Sequence, residues 1–119
     1  MYARNVYGPK PAILITGQHH SREVITSSMV LTSVLKMLHG AMHGNEKYEK
    51  LLIQNKYYVI PTVNVDGLNF IEQEYKKTGV LLPKRTNMHL SKETKCDNKT
   101  IDGVDLNRNY GFQWGVGDS

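Results

Sequence analysis

Ala12-Ile13-Leu14-Ile15-Thr16 is an apolar run with no polar alternation, closed by Gly17. A run of that kind predicts a strand covered on both faces. From Ser21 the period changes. Val24, Leu31, Val34, Leu35 and Leu38 recur at helical spacing and predict one buried stripe. Ser21 is placed to cap this helix and Gly40 lies just past its expected end. Serines and threonines at 26, 27, 28, 32 and 33 weaken intrinsic helix propensity, so packing must hold the helix in place.

Asn45 to Gln54 is polar and charged, which predicts a short helical turn and loop. Tyr57 to Val63, rich in aromatic and β-branched residues, predicts a second strand. Pro61 lacks an amide hydrogen and marks that strand's end or an irregularity. Asn64-Val65-Asp66-Gly67 has turn composition, with Gly67 expected to supply a positive φ. Glu72 to His89 shows no sustained period and predicts an irregular loop. Asp97 to Gly103 is a turn-rich linker, and Tyr110 to Ser119 a glycine-punctuated tail. No internal repeat or domain boundary is visible. Strand, helix, strand in that order predicts an α/β layer architecture, with a right-handed crossover if the strands are parallel.

At 119 residues the chain is one domain or part of one. Its 15 basic and 11 acidic residues leave a net charge of +4, and the basic residues are scattered apart from Lys84-Arg85 and Lys92 to Lys95. With no aromatic RNA-binding motif beside them, nucleic acid is not an expected partner. No apolar stretch reaches the length of about 20 residues that spans a bilayer. Met1 to Lys10 lacks the apolar segment of a signal peptide. The single Cys96 has no partner within the chain for a disulfide.

The chemistry gathers in two segments. His20 leaves the carboxyl end of the first strand, and Glu23 falls at the start of the following helix. A strand-to-helix corner turns residues three apart to one side, where an imidazole and a carboxylate can share a zinc ion. Ligands of open α/β sheets collect at that end of the strands. Far downstream, Asp105-Leu106-Asn107-Arg108-Asn109 offers a guanidinium and an amide able to grip a carboxylate. His43-Gly44-Asn45-Glu46 repeats the His-x-x-Glu spacing, but no buried strand delivers it. His39 and His43 therefore read as surface residues. His19 should point away from His20, and His89 has no partner at ligand spacing.

Gln18-His19-His20-Ser21-Arg22-Glu23-Val24 together with Gly103-Val104-Asp105-Leu106-Asn107-Arg108-Asn109-Tyr110 resembles the zinc carboxypeptidase family. The resemblance implies a partial three-layer α/β/α domain with a mixed, mostly parallel central sheet. It implies one zinc ion held by His20 and Glu23, with a peptide or protein C-terminus as substrate. By the same resemblance Asn107 and Arg108 bind the terminal carboxylate, and Arg22 helps to bind the substrate chain. Arg85-Thr86-Asn87 is similar to the segment whose arginine polarises the scissile carbonyl, with Lys84 a rival for that role. Asn64-Val65-Asp66-Gly67 is similar to the family's Asn-Pro-Asp-Gly turn, with Val65 in place of proline.

In that family the third zinc ligand, a substrate-binding tyrosine and the general-base glutamate follow the Asn-Arg pair, beyond Ser119. The chain is thus expected to be an incomplete catalytic domain, inactive alone and with an exposed sheet edge. The disulfide partner of Cys96 is expected in the same missing part. A secreted or vacuolar/lysosomal location is implied by resemblance only. Two other readings stand beside the carboxypeptidase: a non-catalytic peptide-binding remnant, and an aspartoacylase-type zinc deacylase using His43 and Glu46.

Overall fold

The apolar run forms strand β1, Ala12–Thr16, and pairs in parallel with β2, Lys56–Ile60. This register comes from a computed structural model that describes residues 9–89 and 102–117. Ile13 stands beside Tyr57 and Ile15 beside Val59, and these four are half-buried. The opposite face, with Leu14, Tyr58 and Ile60, is exposed. Coverage on both faces, expected from the unbroken run, is therefore not seen among the described residues. The second strand also stops at Ile60, short of the expected Val63, because Pro61 cannot donate to a ladder. The described sheet is two-stranded and parallel throughout.

Helix α1, Ile25–Met42, follows β1. Its first residues are not capped by Ser21, and Gly40 lies inside it rather than past its end. Gly40 is needed for close approach, since a Cβ there would collide with the Tyr48 ring of the next helix. The expected stripe is also rotated. Val30, Val34, Met37 and Ala41 are half-buried, whereas Val24, Leu31, Leu35 and Leu38 are exposed. The helix is apolar on both sides, so periodicity alone could not say which side is covered here.

The polar stretch after it is a full helix, α2, Glu46–Gln54, because Asn45 accepts the Tyr48 N–H at 3.2 Å and caps it. The segment expected to be turn and loop is largely a third helix, α3, Val65–Thr78. Asn64 caps its start, and Gly79, at φ 72°, closes its end by donating to the Tyr75 carbonyl at 2.8 Å. Beyond Gly79 the chain is irregular as far as His89. A single 3-10 turn, Leu106–Arg108, follows the second described stretch's entry. Cys96, Lys92 to Lys95 and most of the linker expected from Asp97 lie outside the described residues.

Ile71 is the sole buried hydrophobic side chain among the described residues, while Gln18, His20, Ser21, Asn64 and Lys84 are buried polar ones. The best-covered part of the described structure is thus a polar scaffold at the carboxyl ends of the two strands.

Candidate metal centre

Beyond the strand ends the two chains remain tied: Gly17 donates to Ile60, Val63 to Gly17 and Asn64 to Gln18, each at 3.0 Å. Gln18 then turns the chain with a left-handed φ of 50°. Its side chain is fully engaged, accepting from Ser27 at 2.5 Å and Thr62 at 3.2 Å and donating to the Ser21 carbonyl at 3.1 Å. Thr26 accepts the Gln18 N–H at 3.0 Å and donates to the Glu23 carbonyl at 2.7 Å. The corner between β1 and α1 is fixed by these bonds rather than by apolar packing.

On this corner His20 is buried and places Nδ1 2.9 Å from Glu23 Oε1. Glu23 itself is partly open, its side chain 43 % exposed. An imidazole and a carboxylate converge, with one side of the pair facing solvent. His20 Nε2, buried and without a hydrogen-bond partner, lies 3.3 Å from Asp105 Oδ1. It feels that charge without alignment as a hydrogen bond. The Glu23 carboxylate can only accept, so in this arrangement His20 Nδ1 carries the proton between them, and a divalent ion shared by the pair would displace it. That donor arrangement fits a divalent metal. Among the described residues, no group of three or more His, Cys, Asp or Glu side chains is placed to hold one.

The Asp105 carboxylate accepts Arg85 Nε at 2.5 Å on its other oxygen, and Oδ1 accepts the Asn107 N–H at 2.9 Å. Burial pulls its carboxyl upward. The Arg85 hydrogen bond, the Asn107 N–H and the charges of Arg85 and His20 outweigh burial, so it titrates below the ordinary 3.8.

The segment carrying Arg85 is strapped to the corner. Arg22 N–H donates to the Lys84 carbonyl at 3.0 Å, and Ser21 Oγ to the Thr86 carbonyl at 2.8 Å. Asn64, fully buried, reaches the His19 carbonyl at 3.0 Å and Ser21 Oγ at 3.3 Å while accepting the Gly67 N–H at 3.1 Å. Gly67 is not in the left-handed region expected of it. Its Cβ would lie 2.5 Å from Asn64 Oδ1 and 2.9 Å from the Thr86 carbonyl, so closeness, not φ, requires glycine.

The sequence-expected residues separate in this frame. His20, Glu23 and Arg85 are brought together through Asp105. Lys84 is turned the other way, fully buried, donating to the Asp102 carbonyl at 2.7 Å and Thr86 at 3.0 Å beneath the Phe70 ring. Arg22 is exposed, with a long 3.5 Å bond to the Pro83 carbonyl. Arg108 donates to the Asn107 carbonyl at 3.1 Å and pairs with no carboxylate among the described residues. His19 does diverge from His20, meeting the Tyr110 hydroxyl at 2.6 Å. His43 stacks on His39, and Glu46 sits 3.9 Å from Lys50, so neither turns toward this centre. Asp105 and Asn64 were not singled out as site-forming from sequence, although both lie inside motifs that were. Nothing in residue type alone says which way a carboxylate in a loop will face.

The zinc carboxypeptidase family model matches residues 4–119. A zinc carboxypeptidase of Saccharothrix mutabilis subsp. capreolus is 33% identical over 89% of this chain and 22% of its own. Carboxypeptidase B of Astacus astacus is 31% identical over 88% of this chain and 30% of its own. A protein of Uncinocarpus reesii described as inactive metallocarboxypeptidase ECM14 is 30% identical over 97% of this chain and 18% of its own. The crystal structure of thrombin activatable fibrinolysis inhibitor superposes with a TM-score of 0.70 at 27% identity, over 95% of this chain and 25% of that one. The chain spans less than a third of each of these relatives.

Proposed function

Because the chain belongs to the zinc carboxypeptidase family, we propose that it carries the entry side of a carboxypeptidase centre, which removes C-terminal residues from peptides. The surrounding fold is read as part of a three-layer α/β/α domain with a mixed, mostly parallel sheet. One observation carries the reading: His20 Nδ1 and Glu23 Oε1 converge at 2.9 Å on a corner backed by Asp105.

His20 and Glu23 would hold the zinc ion, and a catalytic site of this kind takes a further protein ligand to complete three. Zinc bound there supplies a polarised carbonyl and a water whose pKa is near 7. Three further roles fall to side chains of this chain. Arg108 and Asn107 receive the substrate's terminal carboxylate, which selects a chain end over an internal peptide bond. Arg85, oriented through its Nε by Asp105, presents its fixed charge to the oxygen of the scissile carbonyl. Arg22, exposed beside the corner, steadies the peptide.

A zinc titration followed through the His20 imidazole resonances tests the metal assignment. The His20 signals should shift with zinc, lose that response in Glu23→Gln, and keep it in His43→Ala. A His20 response indifferent to Glu23→Gln would overturn the shared site, and one abolished by His43→Ala would favour the deacylase reading.

A second reading, peptide binding without hydrolysis, is supported by the inactive metallocarboxypeptidases among the relatives. It predicts that a peptide with a free carboxylate binds equally well with and without zinc.

A further inference from the structure

His19 turns away from His20 and meets Tyr110, which follows Arg108 and Asn109 in the chain. Its Nε2 lies 2.6 Å from the Tyr110 hydroxyl, with the ring centroids 5.9 Å apart and the planes tilted by 52°. The partners are 91 residues apart in sequence, so the bond joins the loop after β1 to the segment after the 3-10 turn. A hydroxyl both donates and accepts, so either tautomer of the ring can make this bond. The His19 end is firm, since its carbonyl accepts from the fully buried Asn64 at 3.0 Å. At the other end Tyr110 is 58 % exposed. Apolar burial does not account for its place, and the hydroxyl supplies the specific contact.

The same turn is also fastened at its start. Asp105 sits 3.3 Å from His20 Nε2 and accepts from Arg85 Nε. Asn107 and Arg108 thus lie between two ties, each made to one of two adjacent histidines. We propose that His19 and Tyr110 are positioning residues for the Asn107 and Arg108 fork, fixing the backbone from which both donors reach a peptide's terminal carboxylate. The inference rests on the reading of that fork as the carboxylate site. Paired donors grip a carboxylate only within a narrow range of orientation, so slack in their backbone lowers affinity without removing either donor.

Tyr110→Phe keeps the ring and removes only the hydroxyl. The test is a titration of the whole chain with N-acetyl-trialanine, followed through the Arg108 side-chain resonances, with the C-terminal amide of the same peptide as control. Tyr110→Phe should weaken the acid by about fivefold, the size of one net hydrogen bond. His19→Leu should do the same. His19→Gln, which keeps a polar group near the Nε2 position, should recover most of the loss. Tyr110→Phe added to His19→Leu should cost nothing further, because the bond is already gone. Unchanged acid affinity in Tyr110→Phe, in a chain that prefers the acid, would overturn the positioning role and leave the carboxylate site standing. Additive losses in the double variant, or no recovery in His19→Gln, would overturn it as well. A parent chain that binds acid and amide alike would overturn the carboxylate site itself, and the positioning role with it.

Discussion

Asp105 Oδ1 lies 3.3 Å from His20 Nε2, and the same carboxylate grips Arg85 through its other oxygen. One side chain therefore couples the loop after β1, the segment before Asn87 and the 3-10 turn that bears Asn107 and Arg108. The residues proposed to hold the metal and the arginine proposed to act on substrate are not independent decorations of the fold. They are set by a shared charge.

Replacing Asp105 by Asn keeps the shape and removes that charge. Arg85 then loses a charge-assisted partner in a half-covered setting, worth about 1 kcal/mol. The urea midpoint at neutral pH should fall accordingly. The acid limb carries a sign. The folded carboxyl titrates below its ordinary 3.8. Its stabilisation is therefore complete above that value and is lost as pH falls through the lower folded one. The parent and Asp105→Asn stabilities should converge in strong acid. A difference that persists unchanged at the lowest pH would show that the effect is steric.

Asn64→Ala should be among the most damaging single changes at the strand ends. It removes the cap of α3 and strips partners from the His19 carbonyl and Ser21 Oγ, all at a fully buried position. Loss of a cap costs about 1 kcal/mol, and each unsatisfied buried group about 1–3 kcal/mol more. Ser21 Oγ keeps the Thr86 carbonyl as a partner, so the cap and the one stranded carbonyl, that of His19, should register roughly 2–4 kcal/mol in equilibrium unfolding. A loss under 1 kcal/mol would mean that Asn64 does not bind the two loops together.

Gly67 and Gly79 bracket the same helix, yet alanine should fail at them for different reasons. At Gly67 the new methyl has Asn64 Oδ1 and a backbone carbonyl in its way. The loss should outweigh the gain of about 1 kcal/mol that alanine brings to a helix. At Gly79 nothing stands within reach, and only the φ of 72° resists. The cost there should be about 1 kcal/mol, and asparagine, which tolerates the left-handed region, should recover part of it. Comparing thermal midpoints of Gly67→Asn and Gly79→Asn separates the two causes, since asparagine can rescue only the second.

Both strands, the first helix and the convergence of His20 with Glu23 were legible because local pattern determines them. An apolar run makes a strand, and a strand end followed by a helix turns its residues to one side. The third helix was hidden. Its inward positions Gly67, Leu68 and Ile71 sit among charged residues from Glu72 to Lys77, so the apolar period fades after one turn. Asn64 and Gly67 looked like a turn, because a helix cap and a turn use the same residue types. Gly40 looked like a helix stop for a similar reason, when it was making room for Tyr48. The buried Lys84 beside the half-exposed Arg85 shows the limit most clearly. Two adjacent cations face opposite ways, and only long-range contacts with Asp102 and Asp105 decide which one looks into the site.

Arg108 offers the sharpest test of the substrate side. Among the described residues its guanidinium donates to a backbone carbonyl and meets no carboxylate, so its charge is available to an incoming anion. A short peptide with a free C-terminus should perturb the Arg108 side-chain resonances, and the same peptide as a C-terminal amide should not. Lysine at 108 keeps the charge but not the planar fork, so Arg108→Lys should weaken the free-acid peptide by about tenfold. Asn107→Ala should weaken it less, since that change removes one neutral donor. Equal binding of the acid and the amide would mean that this segment recognises something other than a chain end, and the carboxypeptidase reading would lose its means of choosing one.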